Sequence, residues 1–591
     1  MPYVERWGDD RIVIHSEYRE RELVKQVPGA KWDDATKVWW CPLSWAACMQ
    51  LRGVFGDLLQ IGEQLVTWAQ GELDGRVSPC LVLREAEDAE LPAGVVPATL
   101  PKTGDTFRGK LVEADWDLEP RQRAGVRFLA TARRAALCDG MGSGKTVQTI
   151  IALEMLAAEG KDPYPAVVVC PNSMKATWWE EFDLWAPHRK VTVIRGGAAA
   201  RRKLLAEPAD VYVFNWEGLR SHTRLAGYGF IRLSEDEKTD KELNLMPLRS
   251  FVADEAHRAK DPKSKQTRAA WAIARKCEFR FALTGTPLAN SPEDTWAIMH
   301  MLEPREWPSR TQFVDRYALQ SWSNFGFMQV TGIRGENRDE FLRILDPRFL
   351  RRPTKIVVPD LLDKLPPQVR HVELVPKQRK AYEQLRKELL AELDSGVLMA
   401  TNPLTRMTRL IQLAAAYGEV ENGVDMKLSE PSAKLDALDE FLEDVGPEEQ
   451  VVVFAESRQL IELAAKRLEK HKVPFGLITG AQQDFERQRS VQDFQAGNLR
   501  VILATLGAGG EGLTLTAARH VVFLQRSFSL VKNRQAEDRV YRKGQTREVQ
   551  RTDIVAVNTI EEHVLLVGED KEERLEEICR DEEVLRRWLT K

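Results

Sequence analysis

From about residue 111 the chain alternates short apolar, β-branched runs with longer amphipathic stretches: AVVVC at 166–170, DVYVF at 210–214, FVADE at 251–255 and RFALTG at 280–285. Runs that are apolar at consecutive rather than alternate positions read as strands buried on both faces of a parallel sheet. A second series comes later, with VVVFAES at 451–457, GLIT at 476–479, VILAT at 501–505 and HVVFL at 520–524. The pattern predicts an α/β fold with two open parallel-sheet lobes. Between them PKQRKAYEQLRKELLAELDSG places Tyr382, Leu385, Leu389, Leu390 and Leu393 at helical spacing, so residues 301–430 read as helical insertions. At the other end, Leu575, Ile578, Cys579, Leu585 and Leu589 share one face of a predicted helix over 569–591.

Residues 1–70 carry six of the 16 tryptophans, and residues 71–110 are rich in Gly, Pro and Ala. These read as a small aromatic α+β module and a linker. The expected order is then module 1–70, linker 71–110, first lobe 111–300, insertions 301–430, second lobe 431–568 and helix 569–591. A length of 591 residues suits such a multi-domain chain.

Composition narrows the class only slightly. With 43% hydrophobic and 29% charged residues the chain is of ordinary globular type, and nowhere do about 18 apolar residues run uninterrupted. The first residues lack a basic segment followed by an apolar one, so a cytoplasmic protein without a membrane partner is expected. Lys+Arg 85 nearly balances Asp+Glu 89, so a nucleic-acid partner has to be held by local basic patches. Cysteines 41, 48, 80, 138, 170, 277 and 579 form no C-x2-4-C pair, and neither a structural zinc site nor a disulfide framework is expected.

Chemistry enters at 135–155. The apolar AALC is followed by the loop Asp139-Gly140-Met141-Gly142-Ser143-Gly144-Lys145-Thr146 and then by a helical stretch. Glycines let the backbone curl until its N–H groups point at a phosphate, and the helix start adds positive potential. Lys145 is placed to reach the terminal phosphates, and the Thr146 hydroxyl to bind Mg2+. The general pattern has Gly where this chain has Asp139. Downstream, PLRSFVADEAH sets Asp254 and Glu255 at the end of an apolar strand. Phosphoryl transfer needs one carboxylate for the metal and a second group to orient water, so Asp254 is assigned to Mg2+ and Glu255 to the attacking water.

The second series has no phosphate loop. It carries RQAEDRVYRKGQ, in which Gln535, Arg539 and Arg542 fall at i, i+4 and i+7 and would share a face if helical. Two readings stand for the arginines: stabilisation of charge on a transferred phosphoryl group, or an exposed helix salt-bridged by Glu537 and Asp538.

Taken in order, the phosphate loop, DEAH at 254–257, LTGTPLAN at 283–290, GAGGEGLTLTAA at 507–518 and QAEDRVYRKGQ at 535–545 resemble the Snf2 family of superfamily 2 helicase-like ATPases. The resemblance spans about 115–565, and in that family the loop begins with Asp, as at Asp139. It implies two RecA-like lobes, ATP and Mg2+ as cofactors, and translocation on double-stranded DNA. It further implies that Gln122, in LEPRQRAGVRFL, reads the adenine base, and that Ser173 and Lys175 approach the nucleic-acid backbone, as do Thr286 and Thr505. Thr284, Gly285 and Thr286 are implied to couple hydrolysis to DNA. Gly480, Arg487 and Phe494 match the family's G-x6-R-x6-F block.

Near the start, Trp32, Asp33, Lys37, Trp39, Pro42 and Ser44 fit the x-W-D-x-x-x-K-x-W hairpin of the HARP module of annealing helicases, which this segment resembles. Lys25, Lys31, Lys37 and Arg52 would grip phosphates while Trp32 or Trp39 stacks on bases. Alternatively the tryptophans fill a small core that needs large side chains. The combined expectation is a monomeric, DNA-dependent ATPase that remodels branched DNA in repair or replication, by strand annealing or fork regression. A strand-unwinding helicase on DNA or RNA and a non-hydrolysing, ATP-switched clamp are the competing readings.

Overall fold

The computed structural model describes residues 1–107, 110–112, 115–223, 241–285, 292–322, 328–394, 403–421, 425–509, 513–527, 529–542, 544–562 and 565. Thr286 and the helix expected over 569–591 lie outside the described residues. The chain divides into one unit over Met1–Pro359 and a second beginning at Asp360.

In the first unit seven parallel strands lie in the order Val191–Val193, Val211–Asn215, Ala166–Cys170, Ser250–Asp254, Phe279–Leu283, Arg134–Leu137, Phe349–Leu350. Every residue of Ala166–Cys170, Ser250–Asp254 and Phe279–Leu283 is buried, as consecutive apolar runs require. Each fully buried valine contributes about 1.5–3 kcal/mol, so these strands account for much of the unit's stability. Helices Pro120–Ala132 and Lys145–Ala158 cover one face, packing Val126, Phe128, Ile150, Leu153 and Leu156 beneath the sheet.

The same unit contains the N-terminal sheet, ordered Lys31–Asp33, Val38–Pro42, Arg11–His15, Tyr3–Trp7, Gln60–Ile61. Ser44 caps the following helix, Trp45–Phe55, by accepting from the Ala47 N–H at 3.1 Å. That helix docks on the insertion: Trp45 Nε1 donates to the Arg343 carbonyl at 3.1 Å and Gln50 Nε2 to Tyr317 Oη at 3.1 Å.

Two expectations are corrected here. Residues 71–110 are not an open linker, because the helix Ser78–Glu85 packs on Pro120–Ala132 and Cys80, Val95 and Leu100 join the lobe core. The insertion is not purely helical. It includes the antiparallel hairpin Ala318–Trp322/Met328–Ile333, and its Phe349–Leu350 segment adds the seventh strand of the sheet. Two residues are too few for a hydrophobic period to register.

In the second unit six parallel strands run Gln368–Val372, Gln550–Ala556, His520–Phe523, Val451–Ala455, Val501–Thr505, Phe475–Ile478. Helices Ala433–Val445 and Arg458–Lys470 bury Leu435, Leu438, Phe441, Leu460, Ile461 and Leu468. Two parallel-sheet lobes with a small N-terminal α+β region is thus the fold. No helix among the described residues is long and apolar enough to cross a membrane.

Candidate active site

The phosphate loop comes directly after the strand Arg134–Leu137, and Lys145 is the first residue of the helix Lys145–Ala158. Gly144 has φ +75°, a left-handed conformation that glycine takes without steric cost. A Cβ on Gly140 would sit 2.7 Å from the Thr354 backbone nitrogen and press on its hydroxyl. Lys145 Nζ donates to the carbonyls of Asp139 at 2.9 Å and Gly140 at 3.0 Å, curled onto the loop. Ser143 is buried, Met141 accepts at its carbonyl from Thr354 Oγ1 at 3.0 Å, and Thr146 and Gly142 are half-buried.

The acidic pair stands two strands away, at the same end of the sheet. Asp254 ends Ser250–Asp254, which pairs in parallel with Phe279–Leu283, and that strand pairs with Arg134–Leu137. Trp178 Nε1 donates to Asp254 Oδ2 at 2.9 Å, and Trp216 Nε1 to its carbonyl at 2.8 Å. Glu255 takes φ +51° and ψ +51°, a left-handed conformation costing about 1–3 kcal/mol in a non-glycine residue. The two indoles on Asp254 help hold the chain there. His257 Nδ1 lies 3.3 Å from Glu255 Oε2 and 3.2 Å from Thr284 Oγ1, joining the acidic segment to the Thr284 block. A Cβ on Gly285 would meet Met141 at 2.8 Å, which places that block beside the phosphate loop.

Burial, and then the charge of Glu255, push the Asp254 carboxyl up to about 6 against the opposing hydrogen bond from Trp178 and the charge of Lys145. A divalent cation would compensate that excess negative charge. The donors offered, the Thr146 hydroxyl and the Asp254 carboxylate, are hard oxygens of the kind Mg2+ takes, together with substrate phosphates. The residues fit the ion.

Two of the assigned side chains are engaged with the loop itself. The Asp139 carboxylate is fully buried and paired with Arg352, at 2.6 Å and 3.1 Å, so its side chain braces the loop rather than meeting a nucleotide. Gln122 is also turned to the loop. Its Nε2 donates to the Ser143 carbonyl at 2.9 Å and its Oε1 accepts from the Glu119 N–H at 2.9 Å.

Arg539 and Arg542 do not share a helical face with Gln535. The helix is Leu530–Glu537, and the chain then runs in turns, with N–H bonds from Arg539 to Ala536 and from Val540 to Glu537. Two contacts draw it off the helical path. The Arg539 carbonyl accepts from Leu515 N–H at 2.9 Å, and Lys364 pairs with Glu537 and Asp538 at 2.8 Å and 3.3 Å. Gln535 is buried, and Arg542 donates to the Leu513 carbonyl at 3.0 Å.

The residues expected at DNA divide similarly. Lys175 opens the helix Lys175–Trp185 but directs Nζ to the Ile194 carbonyl at 3.2 Å; Ser173 lies in the short turn before it. Thr505 ends its strand, half-buried. Trp32 is exposed and meets Trp39 edge-on at 5.6 Å, while Trp39 packs against the module's core.

Sequence reasoning passed over Trp178, Trp216, His257, Gln148 and Arg352. Trp178 lies one helical turn beyond Lys175 in PNSMKATWWEEF, and Arg352 belongs to an arginine pair at the end of an apolar dipeptide. Those placements are visible signals, but the partners lie far away in sequence.

A family model described as the SNF2-related domain matches residues 121–417, and one described as the helicase conserved C-terminal domain matches 433–544. The chain belongs to the SNF2-related family. This SNF2-related chain is 28% identical over 503 residues to the putative ATP-dependent helicase/translocase YwqA of Bacillus subtilis, covering 83% of the chain and 50% of that protein. It is 27% identical over 471 residues to the human DNA annealing helicase and endonuclease ZRANB3, covering 77% of the chain and 39% of that protein. It thus spans about half or less of the length of these curated relatives. A solved structure, the Sulfolobus solfataricus SWI2/SNF2 ATPase core in complex with dsDNA, matches at 25% identity with a TM-score of 0.36, covering 78% of this chain and 93% of that one.

Proposed function

We propose that this chain is a DNA-dependent ATPase that translocates on double-stranded DNA and remodels branched DNA, by annealing strands or regressing forks. The observation that carries the reading is the convergence, at one end of three adjacent strands, of the loop bearing Lys145, the carboxylates Asp254 and Glu255, and Thr284. Family membership and the functions for which the relatives are named support it.

In this reading Lys145 leaves the Asp139 and Gly140 carbonyls for the terminal phosphates, and the loop N–H groups cradle the phosphate chain. Thr146 and Asp254 would hold Mg2+, which would supply positive charge against the phosphates. Glu255 orients water for attack on the terminal phosphorus, and His257 ties its position to Thr284. Gln122, held beside the loop by its bond to the Ser143 carbonyl, reads the adenine base. Arg539 and Arg542 neutralise charge on the departing phosphoryl group. Ser173, Lys175, Thr286 and Thr505 follow the DNA backbone.

The N-terminal sheet supports junction binding. Arg11 lies over the Trp40 ring at 4.4 Å and Lys31 at 5.7 Å, a cationic and aromatic surface that suits unpaired bases and phosphates. Phosphate release across single-stranded, duplex and forked DNA tests the proposal. Duplex and fork stimulation is expected, with Glu255→Gln lowering kcat by about 10^2–10^4-fold. Strand displacement from a plain duplex would favour an unwinding helicase, and ATP binding without phosphate release a clamp.

A further inference from the structure

The phosphate loop has a second scaffold besides its own strand and helix. The segment Phe349–Val357 lies along it and contacts it repeatedly. Cys138 N–H donates to the Leu350 carbonyl at 2.6 Å and Gly140 N–H to the Arg352 carbonyl at 2.9 Å. Thr354 Oγ1 donates to the Met141 carbonyl, and Thr354 occupies the space that a Cβ on Gly140 would fill. Arg352 is the centre of this contact. Its guanidinium makes a two-bond fork to Asp139, donates to Gln148 Oε1 at 3.1 Å and reaches the Arg121 carbonyl at 2.6 Å. Gln148 in turn donates to the Ser143 carbonyl at 3.2 Å, the carbonyl that Gln122 also holds. Both ends of the loop and the helix Pro120–Ala132 therefore meet at one buried arginine.

That arginine lies on the length of chain that leaves the first unit. The helix Thr354–Val357 begins two residues after it, Val357 and Val358 are buried, and the chain leaves the unit after Pro359. In the second unit the same stretch continues to Lys364, whose ammonium pairs with Glu537 and Asp538, the two residues before Arg539. The connection between the units is thus tied, in each of them, to an element that carries proposed nucleotide chemistry.

We infer that Arg352 is a positioning residue for the phosphate loop, and that through it the segment Phe349–Val357 answers to nucleotide at the loop and passes that state toward the second unit. The inference rests on the reading of the loop as a nucleotide site. Arginine suits the role because its planar fork fixes two carboxylate oxygens at once while a third nitrogen reaches elsewhere; lysine offers a single point charge.

The test uses the full chain, Arg352→Lys and Thr354→Val, with a fluorescent ATP analogue for affinity and hydrogen exchange of residues 349–358 with and without that analogue. In the unaltered protein the analogue is expected to slow exchange in this segment. Arg352→Lys is expected to weaken analogue binding about tenfold and to abolish the slowing. Thr354→Val, which removes one hydroxyl, is expected to act in the same direction by about threefold. A variant whose fold alone is damaged would melt lower while the analogue still slowed exchange in the segment. The inference is overturned if Arg352→Lys binds the analogue like the unaltered chain, or if nucleotide leaves exchange in 349–358 unchanged. Should Arg352→Lys fail to fold, Thr354→Val decides by the same two readouts. Analogue binding without phosphate release from ATP would sink the hydrolysis reading and leave this inference standing.

Discussion

The two sheet units share a design and differ at the ends of their strands. In the first, Leu137, Asp254 and Leu283 end adjacent parallel strands, and the residues just beyond them are polar, strained or glycine-rich: Asp139 to Thr146, the left-handed Glu255, and Thr284. In the second, Ala455, Thr505 and Phe523 end adjacent strands, and the sequence after them carries no G-K-[ST] pattern. Buried charge there is structural, as it is for Asp139 and Arg352 in the first unit. Lys434 pairs with Glu561 at 2.5 Å, Arg526 with Asp553 at 2.7 Å, and Arg551 with both Asp553 and Glu537. A parallel sheet is a common platform; the short segments beyond its strands decide which copy receives a nucleotide.

If the division is right, changes in the two units should separate catalysis from binding. Among changes that set one unit against the other, the largest effect is expected for Arg539→Ala with Arg542→Ala, where kcat for ATP falls about 10^3-fold. Affinity for an ATP analogue should stay near that of the unaltered chain; comparable losses of affinity and turnover would place these arginines in ground-state binding. Lys145→Ala in the first unit should do the reverse and weaken the analogue by about 10^2-fold, measured by equilibrium titration. Wild-type affinity in that variant would remove the loop from the nucleotide site.

Stability should separate the units as well. Arg526→Ala strands a buried Asp553 with Arg551 alone, which costs the second unit about 3 kcal/mol. Its urea transition should move to lower concentration while that of the first unit holds.

The smallest effect concerns pH. Burial pushes the Glu537 carboxyl up, but Lys364 and Arg551 outweigh it and hold it down to about 2 from an ordinary 4.5. A depressed acid contributes stability that is complete above about 4.5 and is lost as pH falls toward about 2. Asp538, raised by burial and by Glu537, has the opposite sign and reduces the net change. Glu537→Gln should therefore be less stable than the unaltered chain at neutral pH, with the gap narrowing between pH 4.5 and 2 in urea titrations. A gap independent of pH would show that the pair contributes nothing through its charge.

Legibility in the sequence depended on range. Ala166–Cys170 and Val501–Thr505 could be read to the residue, because strands buried on both faces write their burial directly into composition. The placement of the loop 139–146 before a helix and of Asp254 at a strand end was legible because each is a contiguous pattern. The features that escaped were set by distant partners. The spacing of Gln535, Arg539 and Arg542 is helical, yet Leu515 and Lys364 override it. Asp139 looks like a ligand-facing position until Arg352 is brought to it from the far side of the insertion. The glycines of 71–110 suggested slack chain, but Cys80, Val95 and Leu100 supplied enough apolar surface to bury.

The seating of the N-terminal helix against Tyr317 and the backbone of Arg343 has a practical corollary. A shortened protein that begins beyond residue 110 would bare the aromatic cluster of Trp307, Phe313, Tyr317 and Phe341 to water and invite clumping. Inactivity in such a fragment would report on solubility before it reported on DNA. Single exchanges on the outer surface, such as Trp40→Ala or Arg11→Ala, are the cleaner tools.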